Sequence, residues 1–182
     1  MLRTNEELYR LMKAGERDAF ASLYDRLEPG LYRYVLHMTA SPSAAEEIAH
    51  EVFVQLMTAS ARFDENRGCL EAWVYGVARN LVRAFRRKGP VEQPVDQAMT
   101  DDIVGDLIHD ETMAALRTAI AELPDGYRDA VVLCDLEERN YDEAARLMGC
   151  PIGTVRSRLH RARGLLAGKL KRLRPVMEMS AR

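Results

Sequence analysis

Apolar residues recur along this chain at steps of three and four, and nowhere alternate at the step of two that a half-buried strand requires. The pattern therefore predicts an all-α protein. Leu8, Leu11 and Met12 mark a short helix over 5–13 that Gly15 ends, and Asp18 is placed to cap a second with Phe20, Leu23, Tyr24 and Leu27 inward. Pro29-Gly30 predicts a break, after which Leu31, Val35, Leu36 and Met38 resume the register to about residue 39. Ser41 or Ser43 can cap a third helix over 44–59, with Ile48, Val52, Phe53 and Leu56 facing in and Glu46, Glu47, His50, Glu51 and Gln55 facing out. The stretch RFDENRGC, 62–69, is a turn. Leu70, Val74, Val77, Leu81 and Phe85 then predict the buried stripe of a helix over 70–88, whose other face carries Tyr75, Arg79, Arg83 and Arg86. From Ile108 helical spacing returns through Leu116, Ile120 and Leu123, and again from Tyr127 through Ala130, Val131 and Leu133 to Leu136.

The most informative stretch is 141–171, YDEAARLMGCPIGTVRSRLHRARGLLAGKLK. Asp142 is expected to cap a short helix that ends at Met148, and Gly149, Cys150 and Pro151 make a turn. Val155, Leu159, Ala162 and Leu166 form the inner stripe of the next helix; Arg156, Ser157, His160, Arg161 and Gly164 point away, with Arg158 and Arg163 on the flanks. A small residue at Ala145, glycine four residues on and a branched residue ten on is the spacing of a helix-turn-helix, whose second helix enters a DNA major groove.

Composition narrows the class. With 182 residues, 47% hydrophobic, the chain is long enough for one ordinary domain or two small ones. No apolar run approaches membrane-spanning length and the N-terminal stretch lacks a signal-peptide core, so a cytoplasmic protein is expected. Cys69, Cys134 and Cys150 stand far apart, and His37, His50, His109 and His160 have no second ligand at metal spacing. Neither a metal nor a cofactor is expected, and the cysteines read as small buried apolar residues.

A net charge of only -2 hides a division. Between 89 and 111 lie Glu92, Asp96, Asp101, Asp102, Asp106, Asp110 and Glu111 without one Lys or Arg, whereas from Arg146 onward Glu178 is the only acid. The acidic, proline-containing stretch reads as a flexible linker, giving domains over 1–88 and 108–182 joined by 89–107. On the 70–88 helix, basic side chains interleaved with Trp73, Tyr75 and the amide of Asn80 suit single-stranded nucleic acid: phosphate contacts, a stacking face and a group that reads a base edge. Trp73 fits a core position as well as a stacking platform.

Taken together, AAEEIAHEVFVQLM, RFDENRGCLEAWVYGVARNLVRAFRRK and LPDGYRDAVVLCDLEERNYDEAARLMGCPIGTVRSRLHRAR resemble the extracytoplasmic-function sigma factors of bacterial RNA polymerase over nearly the whole chain. The resemblance implies a region 2 domain that binds core polymerase through Glu47, His50 and Glu51. That domain would melt and hold the minus-10 element through Trp73, Tyr75, Arg79, Asn80, Arg83 and Arg86, with Asn80 beside a flipped-out base. It implies a region 4 domain that places Thr154, Arg156, Ser157, His160 and Arg161 in the minus-35 groove, and an anti-sigma factor as a further partner. His50 stands where the family usually has glutamine, Glu47 where it has aspartate, and Ala144 where a larger aliphatic is common. About twenty linker residues reach at most roughly 65–70 Å, comparable with two turns of DNA at about 34–36 Å each.

Two other classes compete. A dimeric repressor or activator would use the same helix-turn-helix without polymerase. An enzyme would need a phosphate-cradling glycine loop, a GxSxG elbow or paired carboxylates on one face, and none is present in the sequence.

Overall fold

A computed structural model describes residues 3–58, 63–88 and 107–180, and every regular element among them is helical. Residues 89–106 of the expected linker, the end of the third helix at Ala59 and the start of the turn at Arg62 lie outside the described residues, and Leu107, expected in the linker, opens a helix. The helices are α1 (Asn5–Lys13), α2 (Arg17–Thr39), α3 (Pro42–Met57), α4 (Leu70–Arg87), α5 (Leu107–Ala121), α6 (Asp125–Val131), α7 (Tyr141–Met148) and α8 (Ile152–Ser180). They fall into two compact units, one built on α1–α4 and the other on α5, α6, the opening residues of α7, and α8.

In the first unit α1 starts at a reciprocal box: the Thr4 hydroxyl accepts from the Glu7 amide, and the Glu7 carboxylate accepts from the Thr4 amide. Contrary to expectation α2 is unbroken, with Pro29 inside it. Proline removes one backbone donor, but Pro29 and Asp25, whose carbonyl would have accepted it, are both exposed, so water can take that carbonyl. Leu23, Leu27, Leu31, Tyr34, Val35 and Met38 are buried on both sides of the proline and hold the two halves in one continuous helix. Each fully buried aliphatic side chain contributes about 1.5–3 kcal/mol, enough together to outweigh the lost bond. The N-cap is Glu16, without a side-chain cap bond, and Asp18 sits in the first turn rather than ahead of it. Ser41, not Ser43, caps α3.

Helix α4 is rotated from its expected setting. Leu70, Val74, Tyr75, Ala78 and Val82 are buried, whereas Val77, Leu81 and Phe85 are only partly covered. The Tyr75 ring packs 5.0 Å from that of Tyr34 on α2 and is 1% exposed, so it is core and unavailable as a stacking face. At the start of α4 Cys69 offers no side-chain cap; the Leu70 amide instead donates to the Glu6 carboxylate of α1 at 3.0 Å. Nearby, Phe63 stands edge-on to Tyr9 at 5.3 Å and to Trp73 at 6.5 Å, and Arg10 pairs with Glu65 at 3.1 Å. Burial raises the Tyr9 phenol above its ordinary range, and the Glu65 carboxylate adds to the effect.

The second unit turns on a buried guanidinium. Arg128 of α6 is 1% exposed and donates from Nε to Ile120 O at 3.0 Å and from a terminal nitrogen to Leu123 O at 2.9 Å and to Ala121 O. These carbonyls end α5, where a cation is favoured by the helix dipole. Helix α6 runs into a π turn over Val132–Leu136, marked by the Glu137 amide donating to Val132 O. Against expectation the cap of α7 is Asn140: its side chain accepts from the Glu143 amide at 2.9 Å while the Glu143 carboxylate accepts from the Asn140 amide at 3.1 Å. Asp142 lies within the helix, where it favours the dipole.

Glu6→Ala should lower the stability of the first unit by about 1 kcal/mol, the usual worth of a lost cap. Trp73 is the sole tryptophan and lies in that unit, so urea titration of the full chain by fluorescence reads the change. An unmoved midpoint would mean the long-range cap contributes nothing.

Candidate nucleic-acid interface

Helix α7 ends at Gly149, whose φ of +62 lets the chain reverse without a side-chain clash. The Cys150 amide donates back to Ala145 O, and Thr154 and Val155 open α8 by donating to Pro151 O. Ala144 is fully buried and Ala145 half-buried. On α8 Val155, Leu159, Ala162 and Leu166 are all buried, at 0%, 2%, 0% and 8% exposure. Arg156, Ser157, His160, Arg161, Arg163 and Gly164 are exposed, and Thr154 and Arg158 are half-buried. The outward face is therefore a contiguous polar surface over the first three turns.

Its arginines are not equivalent. Arg163 donates from Nε and from a terminal nitrogen to the two Asp135 oxygens, at 3.1 and 2.5 Å. That two-point geometry suits a planar guanidinium, and the carboxylate holds the Arg163 proton more tightly than usual. Arg158 lays its guanidinium along Gly126 of α6, so close that a Cβ there would meet its Cζ at 3.3 Å. Arg156 lies over the Tyr141 ring, 5.6 Å from its centroid. Arg161 has neither an ion pair nor a ring contact among the described residues. Along this stretch of α8 Arg158 and Arg163 are thus spent on the scaffold, and Arg156 and Arg161 are left facing out.

On α4, Trp73, Asn80 and Arg83 follow at steps of seven and three and share a stripe. Asn80, Arg83 and Arg86 are exposed, Arg79 and Trp73 half-buried, and Tyr75 is removed from the set by its burial. On α3, Glu46, Glu47 and His50 are exposed while Glu51 is half-buried and accepts from Gln55 Nε2 at 2.8 Å. The three cysteines are free and half-buried rather than fully buried. Among the described residues no cluster of ligating side chains could hold a metal ion, and no helix is long and apolar enough to cross a membrane.

Residues 23–90 match Sigma-70 region 2, and residues 113–166 match Sigma-70, region 4. The ECF RNA polymerase sigma factor SigW of Bacillus subtilis (strain 168) is 30% identical over 177 residues, covering 89% of this chain and 94% of that protein. SigM of the same organism, another ECF RNA polymerase sigma factor, is 30% identical over 150 residues, 78% of this chain and 88% of its own. This chain belongs to the ECF RNA polymerase sigma factors.

Two solved structures share the sigma factor's fold. CnrH, in complex with the cytosolic domain of CnrY, superposes with a TM-score of 0.66 at 22% identity, covering 90% of this chain and 95% of that one. RpoE of Bartonella quintana, in complex with the anti-sigma factor NepR, gives 0.63 at 24% identity, covering 84% and 96%. The residues that sequence reasoning missed in this sigma factor are those behind the outward face: Asp135, Gly126 and Tyr141. The Asn140-x-x-Glu143 spacing could have placed Tyr141 at the start of α7; nothing in the pattern announces the π turn that carries Asp135.

Burial pushes the Cys134 thiol above its ordinary range, and the adjacent Asp135 carboxylate pushes further, against the opposing Arg163 guanidinium. Asp135→Asn removes an anion that disfavours thiolate, so the pH at which Cys134 becomes alkylated by iodoacetamide should fall. Site-resolved mass spectrometry reads this; an unchanged profile would show that the carboxylate does not govern the thiol.

Proposed function

We propose that this sigma factor joins core RNA polymerase and directs promoter-specific initiation by contacting both promoter elements, the minus-35 duplex with α8 and the minus-10 strand with α4. The observation that carries the reading is the pairing of a wholly apolar inner seam on α8 with an exposed face of Arg156, Ser157, His160 and Arg161. A helix seated this way can enter a major groove, where arginine donates to guanine O6 and N7 and hydroxyls reach phosphates. Thr154, at the helix start, would add a contact at the groove edge. The domains are taken as 1–88 and 108–182 with 89–107 between them.

Trp73, Arg79, Asn80, Arg83 and Arg86 would hold the opened minus-10 strand, with Asn80 reading an unstacked base through its amide. Glu47, His50 and Glu51 would meet a basic surface of core polymerase, since the exposed charge of α3 is of one sign. The protein is cytoplasmic in this reading and performs no catalysis of its own; bond formation belongs to the polymerase. An anti-sigma factor is a further partner, supported by the anti-sigma complex in which one of the fold's neighbours is held.

A gel shift with promoter duplex separates this from a stand-alone repressor: the shift should require core polymerase, and tight binding by the protein alone would overturn the proposal. Arg161→Ala should cost about 1–3 kcal/mol of minus-35 recognition, read as run-off transcription across minus-35 point variants. Asn80→Ala should slow promoter opening and leave core binding intact. Equal loss of both would make Asn80 a structural residue.

A further inference from the structure

Of the two outward arginines, Arg156 alone rests on another side chain. Its guanidinium lies over the ring of Tyr141, the first residue of α7, which is 38% exposed. The backbone under that ring is itself held in place, because the Asn140–Glu143 box fixes the point at which Tyr141 begins α7. Through its contact with Arg156, Tyr141 stands beside the first turns of α8, where the outward face begins.

A long unrestrained arginine must give up its rotamer freedom before it can hold one base edge. An aromatic ring beside the guanidinium restrains that freedom through cation–π attraction, and it does not claim the N–H donors as a carboxylate would. The donors lie in the plane of the group and point outward from its rim. Bidentate recognition of guanine uses those in-plane donors.

We propose that Tyr141 is a positioning residue for promoter reading: it restrains Arg156 so that its donor edge meets one guanine-containing base pair of the minus-35 element. The inference rests on the reading of α8 as the minus-35 helix. Tyr141 touches no base in this scheme; it acts through Arg156 and thereby sets specificity at a single position.

The test uses the full-length protein with core polymerase on a pool of linear templates whose minus-35 segment is randomised, with transcripts sequenced. Arg156→Ala identifies the base pair at which preference is lost. Tyr141→Leu should weaken preference at that same pair by roughly two- to fivefold, the factor that about 0.5–1 kcal/mol of cation–π attraction amounts to, and leave other positions alone. Tyr141→Phe and Tyr141→Trp, which keep the ring, should retain the wild-type profile. Equal loss in Tyr141→Phe and Tyr141→Leu would overturn the inference in favour of a hydroxyl contact to DNA. A uniform loss over all templates in Tyr141→Leu, with the profile shape intact, would overturn it in favour of a packing role. If the wild-type holoenzyme shows no minus-35 preference at all, the parent reading fails and the inference with it, whereas wild-type preference unaltered in Tyr141→Leu sinks the inference alone.

Discussion

The second unit depends on how α8 is rotated about its own axis, and that rotation is set by four buried side chains. Val155, Leu159, Ala162 and Leu166 make a narrow seam, and turning the helix by one residue, about 100°, would drive Arg156 or Arg163 into the core. Burying an unpaired guanidinium costs far more than the seam could return. The outward display of the polar face is thus a consequence of packing, and the helices that α8 packs on are α5 and α6.

With the rotation settled, electrostatics distributes the arginines. Arg163 finds Asp135, Arg158 finds the bare backbone of Gly126, and Arg128 takes the carbonyl end of α5. A guanidinium serves as an internal fastener where several acceptors converge, and as a recognition group where none does. Within this one unit Arg128 and Arg163 are fastened in that way, and Arg156 and Arg161 are left exposed. Counting arginines along a helix consequently overstates the surface left for a nucleic acid.

The first unit follows the same rule with different chemistry. Its loop before α4 is held by Phe63 between Tyr9 and Trp73, by the Arg10–Glu65 pair and by the Glu6 carboxylate on the Leu70 amide. A segment pinned at both ends and through its middle presents Asp64 and Asn66 from a fixed frame, and Asn66 itself closes an Asx turn on Asp64. Through this frame α1 fixes the start of the helix that carries Asn80.

Local signals written in the sequence determined the helical class, the positions of most helices, the glycine turn at Gly149 and the inner seam of α8, because periodicity and turn chemistry act over a few residues. The arginine face and the acidic face of α3 were legible for the same reason. What the tertiary structure decided was every choice in which near neighbours are ambiguous. Pro29 breaks a helix in isolation, but burial on both sides of it keeps α2 continuous. Tyr75 sits on the boundary between the two faces of α4, and it is buried against Tyr34, forty-one residues away. The cap of α4 comes from Glu6, which no local rule connects to Leu70. The π turn at Val132–Leu136 inserts one residue and shifts helical phase by about 100°, which is how Asp135 comes to hold Arg163. Spacing within a helix is a property of the chain; the partner that claims a side chain is a property of the fold, since it arrives from residues far away in sequence.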